Sequence, residues 1–103
     1  MANYLLLYHG GGMPESDEDK SKVMAAWGDW IKQVGENLVD AGNPTAAVQT
    51  VGQSGAGEFS GDRVTGYSIV KADTMEDALK CGQMVPLVAD GGSVDVYETF
   101  NVM

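Results

Sequence analysis

Residues 65–79 read TGYSIVKADTMEDAL, and the reading of this stretch decides the fold. Its first part, residues 65–72, has the β-branched and aromatic content of a strand. Asp73 and Thr74 then offer helix caps, and Asp77 stands three residues beyond Thr74, where the acidic member of a capping box belongs. Met75, Ala78, Leu79 and Gly82 follow at helical spacing, so a helix of about three turns is expected after the strand. Pro86 and the pair Gly91 and Gly92 end that region. Residues 93–100 alternate Val94, Val96, Glu98 and Phe100 against Ser93, Asp95, Tyr97 and Thr99, the period of a last strand.

The N-terminal half repeats the same plan. Residues 3–9, NYLLLYH, form an apolar run ending at Gly10, which fits a short strand buried on both faces. Ser16 is a good N-cap, and Asp17, Glu18 and Asp19 sit where a helix dipole favours negative charge. Val23, Trp27, Trp30, Ile31, Val34 and Leu38 then fall on one helical stripe, and Gly42 is read as the C-cap of a long helix. Residues 46–51 make a second strand, and the Gly- and Ser-rich residues 52–62 a loop. The resulting order, βαββαβ, predicts an α+β fold of the ferredoxin-like kind: an antiparallel sheet with both helices on one face.

Bulk properties restrict what such a domain does. A chain of 103 residues is one domain with a single modest core. Its formal charge of -9 repels a phosphate backbone, so nucleic acid is excluded as a partner class. Hydrophobic residues make up 44% and charged residues 20%, a folding composition rather than an acidic tail. The single cysteine, Cys81, cannot form an internal disulfide, and the N-terminus lacks the flank and apolar segment of a signal peptide. A cytoplasmic protein without a membrane segment is the expectation. One His, one Cys and scattered carboxylates match no metal spacing, and neither Walker nor GxGxxG spacing occurs, so no cofactor is implied.

The candidate site residues are few. His9, the only histidine, closes the first strand and titrates near neutrality, which makes it the candidate general acid or base. A polar strand end bonded to backbone is the competing reading. Gly10, Gly11 and Gly12 precede a helix start as in anion cradles, but Glu15, Asp17, Glu18 and Asp19 crowd that turn, which favours a plain turn. Trp27 and Trp30 are candidate walls of a ligand pocket, against simple core packing; Tyr67 is a candidate phenol, against sheet packing. Asp40 and Asn43, in the sequence DAGNP at residues 40–44, are the remaining candidates for ligand contact, against a cap and turn. Cys81 reads as a structural thiol.

The segments YLLLYHG (residues 4–10), AAWGDWIKQVGENLVDAGNP (25–44), TGYSIVKADTMEDAL (65–79) and GGSVDVYE (91–98) together resemble the YCII-related family, in its DGPF-type branch. The resemblance spans nearly the whole chain. It implies a ferredoxin-like subunit that pairs into a homodimeric α+β barrel, with a pocket for a small organic molecule between sheet and helices. It also implies that DAGNP is a recurrent motif, and that the alternative to a weak acid-base enzyme is a regulatory or protein-interaction module associated with a sigma factor. The DGPF signature itself is replaced by GAGEFSGDR at residues 55–63, so no role of that signature transfers. The YciI-type relatives pair a helix histidine with an aspartate; the long helix here has no histidine, so that dyad does not transfer either.

Overall fold

The computed structural model describes residues 1–11 and 16–102. Gly12 of the glycine run, Pro14 and Glu15 lie outside the described residues. The element order is β1 (Ala2–His9), α1 (Asp17–Val34), a 3-10 turn (Gly35–Asn37), β2 (Leu38–Asp40), β3 (Thr50–Gly52), β4 (Gly55–Gly57), β5 (Gly66–Ala72), α2 (Met75–Gln83), α3 (Pro86–Ala89) and β6 (Ser93–Glu98). Four strands form one antiparallel sheet in the order β2-β5-β1-β6, and β3 and β4 form a separate two-stranded sheet. This is the expected α+β, βαββαβ arrangement with a hairpin and a short third helix added.

The side-chain period of two sets the two faces of the sheet. Tyr4, Leu6 and Tyr8 of β1 are buried, as are Ser68, Val70 and Ala72 of β5, and the register pairs Tyr4 with Val70 and Leu6 with Ser68. Against this face pack Trp30 and Val34 of α1, Ala78 of α2, and Val85 and Leu87 around α3. Both long helices therefore cover the same side. Gly82 brings α2 close to β6: a Cβ there would stand 3.5 Å from Val96 and 3.6 Å from Val94. Leu5, Leu7, His9, Tyr67, Ile69, Asp95 and Tyr97 occupy the alternate positions, on the face away from the helices.

Both predicted N-caps are formed. Ser16 accepts from the Asp19 backbone N–H, and Thr74 from that of Asp77. The end of α1 differs from expectation. The helix stops at Val34, because Gly35 turns to φ 58° while its N–H closes on the Ile31 carbonyl. That conformation is open to glycine at little cost. Leu38, expected on the helical stripe, instead opens β2 opposite Val70. The second strand of the sheet is thus residues 38–40 and not 46–51. The flank of β5 is already occupied by β2 and by Pro44, which bridges to Gly66, and Thr45, which donates to the Thr65 carbonyl at 3.0 Å. Residues 50–52, at the end of the expected second strand, fold back through Gln53 and Ser54 on residues 55–57, which were expected to be loop.

Candidate functional site

His9 is the last residue of β1, and alternation from the buried Tyr8 places it on the face without helices. Its Nε2 lies 2.8 Å from Asp95 Oδ2, and its Nδ1 lies 3.1 Å from the Arg63 carbonyl oxygen. The β1–β6 register explains the first contact: His9 is opposite Ser93, and Asp95 is opposite Leu7, so the two side chains are diagonal neighbours on one face. The second contact is held by the chain entering β5. Thr65 donates its N–H to the Tyr8 carbonyl at 2.7 Å and its hydroxyl to the Gly10 carbonyl at 2.9 Å, which fixes Arg63 beside the imidazole.

A carbonyl oxygen only accepts, and an ionised carboxylate only accepts. Both ring nitrogens of His9 therefore face acceptors, an arrangement satisfied in full by the imidazolium form. The Asp95 hydrogen bond raises the His9 pKa above its ordinary value; burial opposes this, while the Arg63 carbonyl and the charges of Asp95 and Asp62 add to it. The Asp95 side chain is 57% exposed, so the carboxylate remains accessible while the imidazole, at 18%, is largely enclosed. Asp95 was not among the residues expected from sequence. The alternation of residues 93–100 already put it on the strand face opposite Val94 and Val96; its pairing with β1 was the missing piece.

The other candidates separate. Trp27 and Trp30 lie on the helix side of the sheet. Trp27 lies between Tyr8 and Trp30, tilted against the first and edge-on to the second with ring centroids 5.4 and 5.8 Å away, and Trp30 donates its indole N–H to the Cys81 carbonyl at 2.9 Å. Trp30 is 1% exposed, so side chains fill the space between the long helix and the sheet. Tyr67 shares the open face with His9, opposite Leu7. Asp40 accepts from the Gly42 N–H at 2.8 Å, and the Asn43 carbonyl accepts from the Tyr67 N–H at 3.4 Å, both within the turn after β2. The sheet thus stands between the tryptophans and His9. The orienting carboxylate for His9 comes from β6 of its own chain.

An open hollow of about 350 Å³ does lie between sheet and helices, at the β6 edge, lined among others by Leu79, Val88, Val94 and Val96. The thiol of Cys81 is half-buried, and burial pushes its pKa up. Among the described residues no group of three or more His, Cys, Asp or Glu side chains is placed to hold a metal ion, and no helix is long and apolar enough to cross a membrane.

No protein-family model matches the chain. No characterised protein matches it in sequence. Among solved structures it is similar to the 5-chloro-2-hydroxyhydroquinone dehydrochlorinase TftG from Burkholderia phenoliruptrix AC1100, solved in complex with 2,5-dihydroxybenzoquinone. The two share 17% identity, with a TM-score of 0.59 over 96% of this chain and 93% of that one. The class defined at this point is a ferredoxin-like α+β protein with the fold of that dehydrochlorinase, carrying a His–Asp pair on the uncovered face of its sheet.

Proposed function

We propose that the protein is a homodimer of the YCII-related type, in its DGPF-type branch, that encloses a small organic molecule at the open sheet face and moves a proton on it. The observation that carries this reading is the 2.8 Å contact of His9 Nε2 with Asp95 Oδ2, on a face that no helix covers. An ion pair fixed between two strands, with its carboxylate accessible, is arranged to take a proton from an acidic O–H or C–H and to return it. In this reading Asp95 is the group that meets the ligand, and His9 holds it oriented and balances its charge, so His9 is a positioning residue. Tyr67 supplies a phenol on the same face. The shared fold with a protein solved bound to a dihydroxybenzoquinone supports hydroxylated rings and related enols as the first ligands to try. Dimerisation supplies the missing cover, since a sheet with helices on one side leaves its other side to be packed.

The test is a thermal-shift screen of hydroxylated cyclic compounds, because a ligand that binds only the folded state raises its melting temperature. The expected result is a hit whose shift disappears in Asp95→Asn and is reduced in His9→Gln. A hit that stabilises Asp95→Asn as well as the wild type places the ligand elsewhere. No hit at all favours an interaction module over an enzyme.

A further inference from the structure

Between Thr45 and Arg63 the chain leaves the main sheet, and every residue from 46 to 63 is exposed. Within this arm β3 and β4 pair with each other and join no other strand. A hairpin with strands this short does not hold itself together in water. Ordering each residue costs about 1–2 kcal/mol of backbone entropy, which burial must offset. The arm has no such burial within its own chain. The shape of the molecule reflects it: the radius of gyration is 15.1 Å, and the principal extents are 44 × 39 × 19 Å. A compact chain of this length has a radius of gyration of about 13 Å.

The chemistry of the arm identifies what covers it. From Ala41 to Gly57 there is no charged residue, in a chain of which 20% is charged. Val51 is 78% exposed, and Val48 and Phe59 are exposed with it. Depletion of charge around exposed apolar side chains marks the core of an interface rather than a solvated loop. Two copies of a chain at -9 repel wherever carboxylates meet, so they adhere only through surface that lacks them. Among the described residues such surfaces include the charge-free part of this arm, residues 46–57, and the apolar part of the sheet face formed by Leu5, Leu7, Tyr67 and Ile69 beside Asp95. A basic partner would be drawn to the carboxylates elsewhere and gains nothing from the arm.

We infer that the arm of each protomer, residues 46–63, closes over the helix-free sheet face of a second copy, so that each His9–Asp95 pair is roofed by apolar side chains of the partner's arm. The inference rests on the dimeric reading above and adds to it the element that makes the contact. Two-fold symmetry makes the exchange reciprocal. A hollow of about 490 Å³ on the flank of the arm, between Val48, Gln49 and residues 56–59, receives side chains of the covered copy. The same arm ends at Arg63, whose carbonyl bonds His9 of its own chain, so seating the arm on one copy also steadies the imidazole of the other.

Two measurements test this on the full chain: sedimentation equilibrium of the wild type and of Val51→Asp, and amide hydrogen exchange over residues 50–57 in a dilution series. Val51 is exposed in the single chain, so the substitution leaves the subunit folded, which circular dichroism checks. The expected results are a wild-type dimer, a dissociation constant raised about tenfold or more in Val51→Asp, and protection of residues 50–57 that fades on dilution. In a dimeric wild type, an unchanged dissociation constant for Val51→Asp, or arm amides that exchange freely at every concentration, overturns the arm exchange and leaves the dimer intact. A wild type that stays monomeric at the highest concentration overturns both.

Discussion

His9 Nε2 and Asp95 Oδ2 meet at 2.8 Å across two neighbouring antiparallel strands, at positions that are diagonal rather than directly opposite. The contact joins the end of the first strand to the middle of the last, 86 residues apart in sequence. It exists because β1 lies between β5 and β6, so that one imidazole reaches a carboxylate on one side and the Arg63 carbonyl on the other. A histidine held by two acceptors favours its charged form, and that has a consequence for stability.

The pKa of His9 is raised in the folded state, first by the Asp95 hydrogen bond. Its contribution to stability is therefore fully present below the unfolded value of about 6.5 and is lost as pH rises through the higher folded value. Urea midpoints are expected to fall on going from slightly acid to slightly alkaline buffer, a window in which no other side chain ordinarily titrates. The fall is modest, since solvent screens a pair whose carboxylate is 57% exposed. An NMR titration of the imidazole checks the assignment: its midpoint lies above about 6.5 in the wild type and moves down in Asp95→Asn. Identical midpoints in the two proteins would show that the pair does not hold in solution.

Trp30 tests the core. It is 1% exposed and its indole N–H donates to the Cys81 carbonyl, which ties α1 to α2. Trp30→Ala is expected to destabilise by about 3–5 kcal/mol in urea unfolding. Trp30→Phe keeps much of the volume but leaves that carbonyl without its donor, which costs about 1–3 kcal/mol for a buried acceptor. A Trp30→Phe variant as stable as the wild type would remove the hydrogen bond from this account.

Much of the fold is legible in the sequence where local chemistry and tertiary packing agree. Ser16 and Thr74 cap the helices they announce, and the strands at residues 66–72 and 93–98 stand where alternation and β-branched content put them. The reading fails between Val34 and Val51. Leu38 continues the helical spacing of Val34, yet Gly35 breaks the helix and Leu38 pairs with β5 instead. Spacing cannot distinguish these outcomes, since a glycine inside a helix and a glycine ending one look alike without the neighbouring strand. The same holds at the site. His9 is visible as a lone histidine, whereas Asp95 is one of 15 carboxylates until the strand register singles it out.

A buried chain of hydroxyls links three parts of the fold. Tyr8 donates to Ser68 Oγ at 2.6 Å, and Ser68 donates to the Ala41 carbonyl at 2.7 Å, joining β1, β5 and the turn after β2. Burial pushes the Tyr8 pKa up to about 12. Tyr8→Phe leaves Ser68 bonded to Ala41 and is expected to cost about 1 kcal/mol. Ser68→Ala strands the Tyr8 hydroxyl and the Ala41 carbonyl together, so it is expected to cost more, about 1–3 kcal/mol, although it removes only one oxygen. The order of the two losses, read from urea midpoints, decides whether the serine is the hub. A larger loss for Tyr8→Phe would place the weight on the phenol.

Two glycines separate backbone necessity from helix propensity. Gly42 has φ +76°, and a Cβ built there would stand 1.6 Å from the Tyr67 carbonyl oxygen, a backbone atom that cannot yield without moving β5. Its N–H is also taken by Asp40. Gly42→Ala therefore combines a disfavoured conformation with a direct collision beside the strand that carries Tyr67, and is expected to cost more than the roughly 1–2 kcal/mol of a left-handed alanine alone. Gly28 lies inside α1, and a Cβ there meets nothing within 4 Å. Gly28→Ala is accordingly expected to stabilise by about 0.5–1 kcal/mol, the helix propensity difference with no steric charge against it. Opposite signs in the two urea curves are the outcome that the geometry requires. A tolerated alanine at position 42 would mean that the DAGNP turn is looser than its contact with Tyr67 allows, and Asp40 and Asn43 would then be freed from the turn to serve a ligand instead.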